Sequence, residues 1–472
     1  MSNAMHYDII VVGSGPAGQK AAIQAAKAGK RVALIEKEQG IGGNCVYRGT
    51  IPSKTLRESA LQHERLKRSS EAFEGRLRTD VSVPSLLHRL QEVIKAHETF
   101  MTNQLQRNNV IYLHGCARFV TDHAIELESV DGMRQVLTAD LFVLAAGSRP
   151  KSSPNIEIDH EYVLDSDSIL SMIYLPRSLT VVGGGVIACE YASMFSLLGV
   201  EVTIIDKADR PLEFLDAEIV EIFQRNFERN GGRFYSRHTV MDVAWDGVSS
   251  VVATLENGMA VKSEKMLVAI GRQPNVEELN LPAVGLQLNE KGRLTINEYG
   301  QTMVPHIYAA GDMAGQGALA SRAMEEGRRA VSHALGLVVG ESANQMPLGI
   351  YTIPEIASIG LDEAQAQARF RGPLIGRARF DEIAKGQITG ACNGLLKLVA
   401  DPAGERLLGV QIVGEDATEL IHLGQMALQS GATIDRFIDT IFNFPTFAEC
   451  YRVAALDILG QRRKQQDLSD AA

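Results

Sequence analysis

The fold of this chain is decided by "YDIIVVGSGPAG", residues Tyr7–Gly18. A short apolar run ends in glycines spaced G-x-G-x-x-G, at Gly13, Gly15 and Gly18, and the helical pattern "QKAAIQAAKAGK" follows them. A second apolar run, "RVALIEK", contains the acidic residue Glu36 near its end. This order of strand, tight turn, helix and strand with a terminal acid predicts a unit that binds a dinucleotide.

Each glycine of the motif has a mechanical reason. The first allows a sharp turn, the second lets the backbone approach a diphosphate, and the third lets the helix pack on the strand. The diphosphate then lies at the positive end of the helix, and the acid accepts a hydrogen bond from a ribose hydroxyl. An ordinary turn between strand and helix is the alternative, but here the strand, the helix and the acid all stand at the expected positions.

The same pattern returns in "SLTVVGGGVIACEYASMFSLLGVEVTIID", which ends at Asp206. Gly183, Gly185 and Ala188 occupy the three glycine positions, and Asp206 takes the acidic one. A repeat of this kind predicts two dinucleotide-binding units in one chain. The natural pair of dinucleotides is a flavin and a nicotinamide.

The bulk composition limits the other partners. A chain of 472 residues is too long for one ordinary core, and a formal charge of -10 argues against nucleic acid or an anionic membrane as the main partner. Five scattered cysteines, without a closely spaced Cys/His set, predict neither a disulfide framework nor a metal site. No apolar run approaches the length of a membrane helix. We therefore expect a cytoplasmic protein.

Motifs spread over nearly the whole chain resemble the FAD-dependent pyridine nucleotide–disulfide oxidoreductases. From the N-terminus onwards they are "GSGPAG", "IPSK", "AAGSRP", "GGGVIACEYAS", "AIGRQPN", "IYAAGD" and "YTIPEIASIG". The resemblance implies an α/β fold with two Rossmann-like dinucleotide-binding domains, for FAD and NAD(P), and a C-terminal α+β dimerisation domain in a homodimer. The expected bounds are 5–150 and 275–343 for a discontinuous FAD domain, 151–274 for the NAD(P) domain and 344–472 for the dimerisation domain.

The resemblance also implies roles for individual residues. It assigns the AMP half of FAD to Gly13, Gly15, Gly18 and Glu36, the ribitol chain to Asp312, and the nicotinamide nucleotide to Gly183, Gly185, Ala188 and Asp206. Gly147 and Gly271, in the turns of two of the motifs, are further expected cofactor-binding residues.

Lys54 and Glu190 match the ion pair that this family places beside the isoalloxazine ring, and they are the predicted catalytic residues. A cation near the reactive edge of the ring favours its anionic reduced form, and an acidic partner keeps that cation in place. The alternative is a solvated lysine and a buried glutamate without a catalytic role.

The segment "GGNCVYRGTIPSK" has only one sulfur of a dithiol centre. The disulfide reductases carry a second cysteine where this chain has Thr50, five residues after Cys45. They also carry a histidine, which acts as the thiol base, where "FPTFAE" has Phe444. Thiol–disulfide exchange needs a thiolate, a partner sulfur and usually a base, so disulfide reduction is rejected as the main activity. Cys45 is predicted to be a packed remnant.

Within the family, the chain most resembles the soluble, flavin-dependent NAD(P)+ transhydrogenases. They share the C-x4-T-I-P-S-K pattern and the aromatic residue before Pro-Thr, and stretches like "LDSDSILS" and "ECYRVAAL". That resemblance implies a ping-pong reaction in which NADPH reduces FAD, NADP+ leaves, and NAD+ takes the hydride. Three alternatives stay open: an NADH-dependent reductase of a quinone, a dye or oxygen, related to dihydrolipoamide dehydrogenase; a single-cysteine thiol enzyme built on Cys45; and a non-enzymatic sensor of nicotinamide redox state.

The preference between the two nicotinamide nucleotides is a separate question. A carboxylate at Asp206 suits a 2′-hydroxyl and repels a 2′-phosphate. Lys207 and Arg210 stand close enough in sequence to pair with that phosphate, but either could equally be a solvated surface charge. Asp206 thus favours NAD(H), but the sequence leaves the preference between the two nucleotides open.

Overall fold

The computed structural model describes residues 5–72, 83–315, 319–340 and 346–470. In its described residues, the first part of the chain contains seven strands and four helices. They are β1 (Met5–Val12), α1 (Pro16–Lys27), β2 (Val32–Glu36), α2 (Gly43–Tyr47), α3 (Thr50–Ala72), α4 (Val83–Arg107), β3 (Ile111–His114), β4 (Cys116–Thr121), β5 (Ala124–Glu128), β6 (Arg134–Leu144) and β7 (Ser148–Pro150).

Six of these strands form one sheet in the order β3-β2-β1-β6-β5-β4. β1 pairs in parallel with β2 and β6, and β4, β5 and β6 pair antiparallel. The apolar run Ile9–Val12 is buried on β1, as expected for a parallel strand that is covered on both faces. The central strand therefore carries the first glycine loop out of the core of the sheet.

The next part of the chain forms the second unit. Its elements are β8 (Val163–Leu164), β9 (Ser178–Val182), α5 (Val186–Leu197), β10 (Glu201–Ile205), α6 (Ala217–Arg229), β11 (Arg233–Tyr235), β12 (Val240–Trp245), β13 (Val251–Leu255), β14 (Ala260–Ser263), β15 (Lys265–Val268) and β16 (Arg272–Pro274). A parallel sheet in the order β11-β10-β9-β15-β8 carries the second glycine loop. A separate antiparallel sheet contains β12, β13 and β14.

The chain then returns to the first unit. β17 (Ile307–Ala309) pairs in parallel with β6, and α7 (Ala320–Ala334) packs against α1. β7 and β16 pair antiparallel, so the two links between the units run side by side. The domain bounds near residues 150 and 274 stay predictions. The bound at 343 and 344 lies outside the described residues.

The C-terminal part is an antiparallel sheet with helices. It contains β18 (Leu348–Ile350), β19 (Glu355–Gly360), α8 (Glu363–Arg369), β20 (Leu374–Arg379), α9 (Ala384–Thr389), β21 (Leu395–Ala400), β22 (Leu407–Gly414), α10 (Ala417–Gln429), α11 (Ile434–Asp439) and α12 (Glu449–Asp470). The strand order is β18-β19-β22-β21-β20. The predicted fold class, two dinucleotide-binding units followed by an α+β domain, is confirmed. In the described ranges, no helix is both long and apolar enough to cross a membrane.

A buried charge cluster ties the second unit to the C-terminal sheet. The side chain of Lys397, on β21, is 1% exposed, and its ammonium lies within 2.9 Å of carboxylate oxygens of Asp216, Glu218 and Glu363. Asp216 is also the N-cap of α6. Because a buried ammonium needs close anionic partners, these contacts hold α6 against β21.

Several large apolar side chains of the C-terminal part face outwards. Ile441 is 92% exposed and Phe444 is 75% exposed, and the other exposed residues on this part include Leu423, Met426 and Leu456. Exposed apolar side chains also lie on the other parts of the chain, for example Val130, Val248 and Met303, so exposure alone does not mark this part as an interface.

Candidate active site

Backbone geometry explains the glycines of the first loop. Gly13 has a φ of +102°, and a Cβ at this position would lie 2.2 Å from the carbonyl oxygen of Ala145. A Cβ on Gly18 would lie 1.8 Å from the carbonyl oxygen of Gly13. Nothing lies within 4 Å of the Cβ position of Gly15, which is the N-cap of α1. Open space beside the start of a helix is the environment that a diphosphate needs.

The second loop repeats this arrangement. Gly183 has a φ of +112°, and a Cβ there would lie 2.5 Å from the carbonyl oxygen of Ala269. Nothing lies within 4 Å of the Cβ position of Gly185, the N-cap of α5. Ala188, at the third position, is fully buried. The second loop therefore also leaves room for a diphosphate at the start of its helix.

The two acidic residues lie at their respective glycine loops. Glu36, at the end of β2, accepts hydrogen bonds from the backbone N–H of Ser14 at 2.8 Å and from its hydroxyl at 2.7 Å. Asp206 follows β10, and its carboxylate accepts from the backbone N–H groups of Gly184 and Ala208. Each carboxylate is thus placed where a ribose next to the diphosphate could reach it.

The predicted catalytic pair comes from different units of the chain. Lys54, in α3, lies with its ammonium 2.6 Å from Oε2 of Glu190, in α5. Oε1 of Glu190 accepts from the backbone N–H of Tyr351 at 2.8 Å. The same ammonium lies 4.8 Å from the centre of the Tyr351 ring. Glu190 therefore binds both Lys54 and the backbone of Tyr351, and the Tyr351 ring makes a cation–π contact with Lys54.

A short chain of hydrogen bonds connects Asp312 to two neighbouring side chains. The hydroxyl of Ser148 donates to Asp312 at 2.6 Å, and Nε of Arg272 donates to that hydroxyl oxygen at 2.8 Å. Gly147 and Gly271, with φ values of +70° and +121°, immediately precede Ser148 and Arg272. The turns after β6 and β15 thus converge near Asp312, and the structure brings three of the predicted residues to one region.

Family profiles place this geometry in a known group. The profile described as pyridine nucleotide-disulphide oxidoreductase matches residues 7–327, and the profile of its dimerisation domain matches residues 346–455. The chain belongs to the pyridine nucleotide-disulphide oxidoreductases. Its dimerisation domain indicates that this oxidoreductase is a homodimer.

Relatives of this oxidoreductase match it over nearly its whole length. The soluble pyridine nucleotide transhydrogenase of Mycobacterium bovis (strain BCG / Pasteur 1173P2) is 41% identical, covering 97% of this chain and 98% of the relative. A protein of the same name from Vibrio vulnificus (strain YJ016) is 39% identical, covering 98% and 100%.

Solved structures of similar fold include LpdA from Mycobacterium tuberculosis. Its TM-score is 0.88 at 28% identity, covering 96% of this chain and 99% of that one. The HOCl-induced flavoprotein disulfide reductase RclA from Escherichia coli has a TM-score of 0.86 at 25% identity, covering 95% and 99%.

This oxidoreductase has no dithiol at the position where its family name leads one to expect it. Cys45 lies in α2, Thr50 begins α3, and all five cysteines are free thiols. Burial raises the pKa of the Cys45 thiol, although a hydrogen bond with Thr50 and the charge of Lys54 oppose this shift. Because the thiolate is the reactive form, a raised pKa disfavours Cys45 as a nucleophile. The phenyl ring of Phe444 cannot accept a proton from it.

The first unit fits an FAD. There is open space beside Gly15, Glu36 is 6% exposed and faces the glycine loop, and Asp312 is joined to the turns after β6 and β15. The second unit has the matching space beside Gly185 for a nicotinamide nucleotide. The assignment of individual residues to each nucleotide stays a prediction.

Four residues of the site were missed by sequence reasoning. Ser14, Ser148, Arg272 and Tyr351 all fall inside the motifs that carry the family resemblance, but no spacing rule gives them a partner. Their contacts with Glu36, Asp312 and the Lys54–Glu190 pair join segments that are far apart in sequence. Only their place inside a motif could have signalled a role.

Proposed function

We propose that this oxidoreductase is a pyridine nucleotide transhydrogenase that passes a hydride from NADPH to NAD+. Its cofactors are FAD, NAD and NADP. The observation that carries the proposal is the intact Lys54–Glu190 pair beside a centre in which Thr50 takes the place of the second cysteine. Relatives named soluble pyridine nucleotide transhydrogenase, 39% and 41% identical over nearly the full length, support it.

The missing dithiol decides where the hydride goes. In this family, FAD supplies the redox centre that holds a hydride equivalent between two substrates. An enzyme without a disulfide has to give that hydride to a molecule that reaches the same centre, and a second nicotinamide is the simplest one. NADPH and NAD+ would use the site at Gly185 and Asp206 in turn. Two electrons and a proton leave one nicotinamide ring and arrive on the other, so no thiol changes its oxidation state.

The residues of the pair have distinct tasks. Lys54 provides a positive charge, and its side chain is only 27% exposed, so water screens that charge weakly. Glu190, with a side chain 7% exposed, holds the ammonium of Lys54 with one oxygen and the backbone of Tyr351 with the other. A charge that is fixed before the reaction stabilises developing negative charge without reorganisation.

A cytoplasmic location is part of the proposal. Five free thiols, among them the partly exposed Cys45, Cys116 and Cys392, suit a reducing compartment.

Anaerobic stopped-flow spectroscopy tests the function. The enzyme is first reduced with one equivalent of NADPH and then mixed with NAD+, and flavin absorbance and NADH formation are followed together. We expect NAD+ to restore the oxidised spectrum within the turnover time. If NAD+ fails while a quinone restores the spectrum, the enzyme is a quinone reductase. If neither acceptor works at a useful rate, the protein is a redox sensor.

An anaerobic dithionite titration separates the thiol alternative. With Thr50 in place of a second sulfur, the enzyme should take up two electrons per flavin. Uptake of four electrons would reveal a thiol couple, and the transhydrogenase proposal would then be wrong.

A further inference from the structure

The proposed function raises a question about the end of the nicotinamide site that binds the adenosine. A transhydrogenase has to accept one nucleotide with a 2′-hydroxyl and another with a 2′-phosphate at a single site. We propose that Arg237 is the residue that recognises the 2′-phosphate, and that it exchanges its ion pair with Asp209 for the phosphate. The inference rests on the proposed function, since it concerns the same nucleotide site.

Asp206 cannot turn away from the nucleotide at low cost. One of its carboxylate oxygens accepts from the backbone N–H of Gly184, in the glycine loop, and the other accepts from that of Ala208 at 2.7 Å. Held in this way, the carboxylate suits a ribose hydroxyl and repels a phosphate dianion. A cation near Asp206, at the exposed edge of the nucleotide site, is needed to offset that repulsion when NADP(H) binds.

Arg210 is already bound by its own loop. Its Nη2 donates to the carbonyl oxygens of Glu213 and Leu215, both at 2.9 Å, so its guanidinium serves the loop before α6. These contacts favour a structural role for Arg210, whereas the sequence left open whether it pairs with a phosphate or is a solvated charge. Lys207 is exposed next to Asp206 and stays a candidate for a supporting role.

Arg237 is bound to the same loop through its backbone. It follows β11, and its N–H donates to the carbonyl oxygen of Ala208 at 3.1 Å. The next residue, His238, donates to the carbonyl oxygen of Asp206 at 3.0 Å. The end of β11 is therefore fixed beside the segment that carries Asp206. Arg237 has a φ of +58°, a conformation that few residues other than glycine adopt.

The present partner of Arg237 is weakly held. Its Nε and Nη2 both donate to the carboxylate of Asp209, the second at 3.1 Å, but the two side chains are 75% and 61% exposed. Exposed ion pairs contribute little to stability, because water competes for both groups. A phosphate dianion offers the same two-point geometry with more charge, so the exchange of partners is favourable.

The pair with Asp209 also explains how NAD(H) is accepted. When no 2′-phosphate is present, Asp209 neutralises Arg237, and Asp206 is free to bind the ribose hydroxyl. When NADP(H) enters, Arg237 offsets the repulsion between Asp206 and the phosphate. Two alternative ion pairs of one arginine thus let a single site bind both nucleotides.

Three variants of the holoenzyme test the proposal. Arg237→Gln removes the phosphate ligand, Asp209→Asn frees it, and Arg225→Gln is the matched control. Arg225 forms an exposed ion pair with Glu221 on α6 of the same unit, with side chains 62% and 59% exposed. FAD content and thermal unfolding are compared first, so that only folded variants are judged.

The readouts are the KM values for NADPH and NADH with a dye as acceptor, and the affinities for 2′,5′-ADP and 5′-AMP. For Arg237→Gln we expect KM for NADPH to rise about 10- to 30-fold with KM for NADH within about twofold, as for loss of a charged hydrogen bond. Asp209→Asn should lower KM for NADPH about threefold, because a weak competitor is removed. Affinity for 2′,5′-ADP should follow the NADPH values, and Arg225→Gln should change neither nucleotide.

Equal changes for both nucleotides in Arg237→Gln would overturn the proposal, as would the same loss of NADPH binding in Arg225→Gln. If Arg237→Gln does not fold, unchanged 2′,5′-ADP binding in Asp209→Asn would overturn it instead. Dye reduction and fragment binding do not require NAD+ as acceptor. Failure of hydride transfer from NADPH to NAD+ in the unmodified enzyme would therefore refute the proposed function and leave this test intact.

Discussion

The two dinucleotide-binding units are built alike but hold their acidic residues differently. In the first unit, Glu36 is 6% exposed and accepts two hydrogen bonds from Ser14, inside the glycine loop itself. In the second unit, Asp206 is partly exposed and is held by Gly184 and Ala208. The first acid is enclosed, whereas the second lies at an open rim with charged residues around it.

The two glycine loops also indicate a more enclosed first unit and a more open second unit. At the third position the first unit has Gly18, where a Cβ would meet the carbonyl oxygen of Gly13 at 1.8 Å, and the second has the buried Ala188. The helix of the first unit therefore packs more closely on its loop. An enclosed site suits a cofactor that stays bound, and a more open one suits substrates that must exchange at each turnover.

The largest expected effect on cofactor retention comes from the third loop position. Gly18→Ala would push α1 away from its loop, so we expect FAD content to fall below about a tenth of normal, with an overpacking cost of about 1–3 kcal/mol. The reciprocal change Ala188→Gly should cost only about 1 kcal/mol, the helix penalty of glycine, and leave FAD bound. Flavin absorbance relative to protein and thermal unfolding measure both. Equal FAD retention in the two variants would show that the two units do not differ in how closely the helix packs on its glycine loop.

The catalytic pair joins the two units, and its loss should slow the enzyme that still holds FAD. Lys54→Met should slow flavin reduction by NADPH about 100-fold, because a fixed charge beside the reacting centre is lost. Glu190→Gln keeps the shape and should slow it less, about 10-fold, since the lysine keeps its charge but loses its anchor. Single-turnover stopped-flow rates give both values. Lys37→Met, which alters an exposed lysine paired with Glu278, is the control. A Lys54→Met rate within twofold of normal would mean that the pair is structural.

The two acids should respond differently to removal. Asp206→Ala should raise kcat/KM for NADPH relative to NADH about 10-fold, equivalent to ~1.4 kcal/mol of relieved repulsion. Glu36→Ala should instead lower FAD content and leave that ratio unchanged, because its carboxylate belongs to the enclosed unit. Steady-state kinetics on the FAD-bound fraction gives the ratio. An unchanged ratio in Asp206→Ala would assign nucleotide choice to other residues.

The smallest effect is expected at Cys45. Because burial raises the pKa of its thiol, alkylation by iodoacetamide should be slow at pH 7 and should accelerate only above the ordinary pKa of a cysteine. Cys45→Ser should retain transhydrogenation within about twofold, since no thiolate takes part. Mass spectrometry of labelled peptides and a coupled NADH assay check the two statements. Loss of hydride transfer in Cys45→Ser would support the thiol alternative.

Much of this protein could be predicted before its structure was known. The family, the α/β fold with two dinucleotide-binding units and the α+β character of the C-terminal part are confirmed. The glycine positions were predictable because a positive φ or a close backbone contact at Gly13 and Gly183 is a local requirement. The absence of a dithiol was equally visible, since Cys45 and Thr50 lie in one short segment.

The sequence by itself thus determined the backbone frame of both nucleotide sites and the loss of the thiol relay. Only the tertiary structure decided that Tyr351 contacts the Lys54–Glu190 pair, that Arg210 bonds its own loop, and that Arg237 lies beside Asp206. The reason is physical. Turn geometry depends on neighbouring residues, whereas the partner of a long side chain depends on how distant strands and helices pack together.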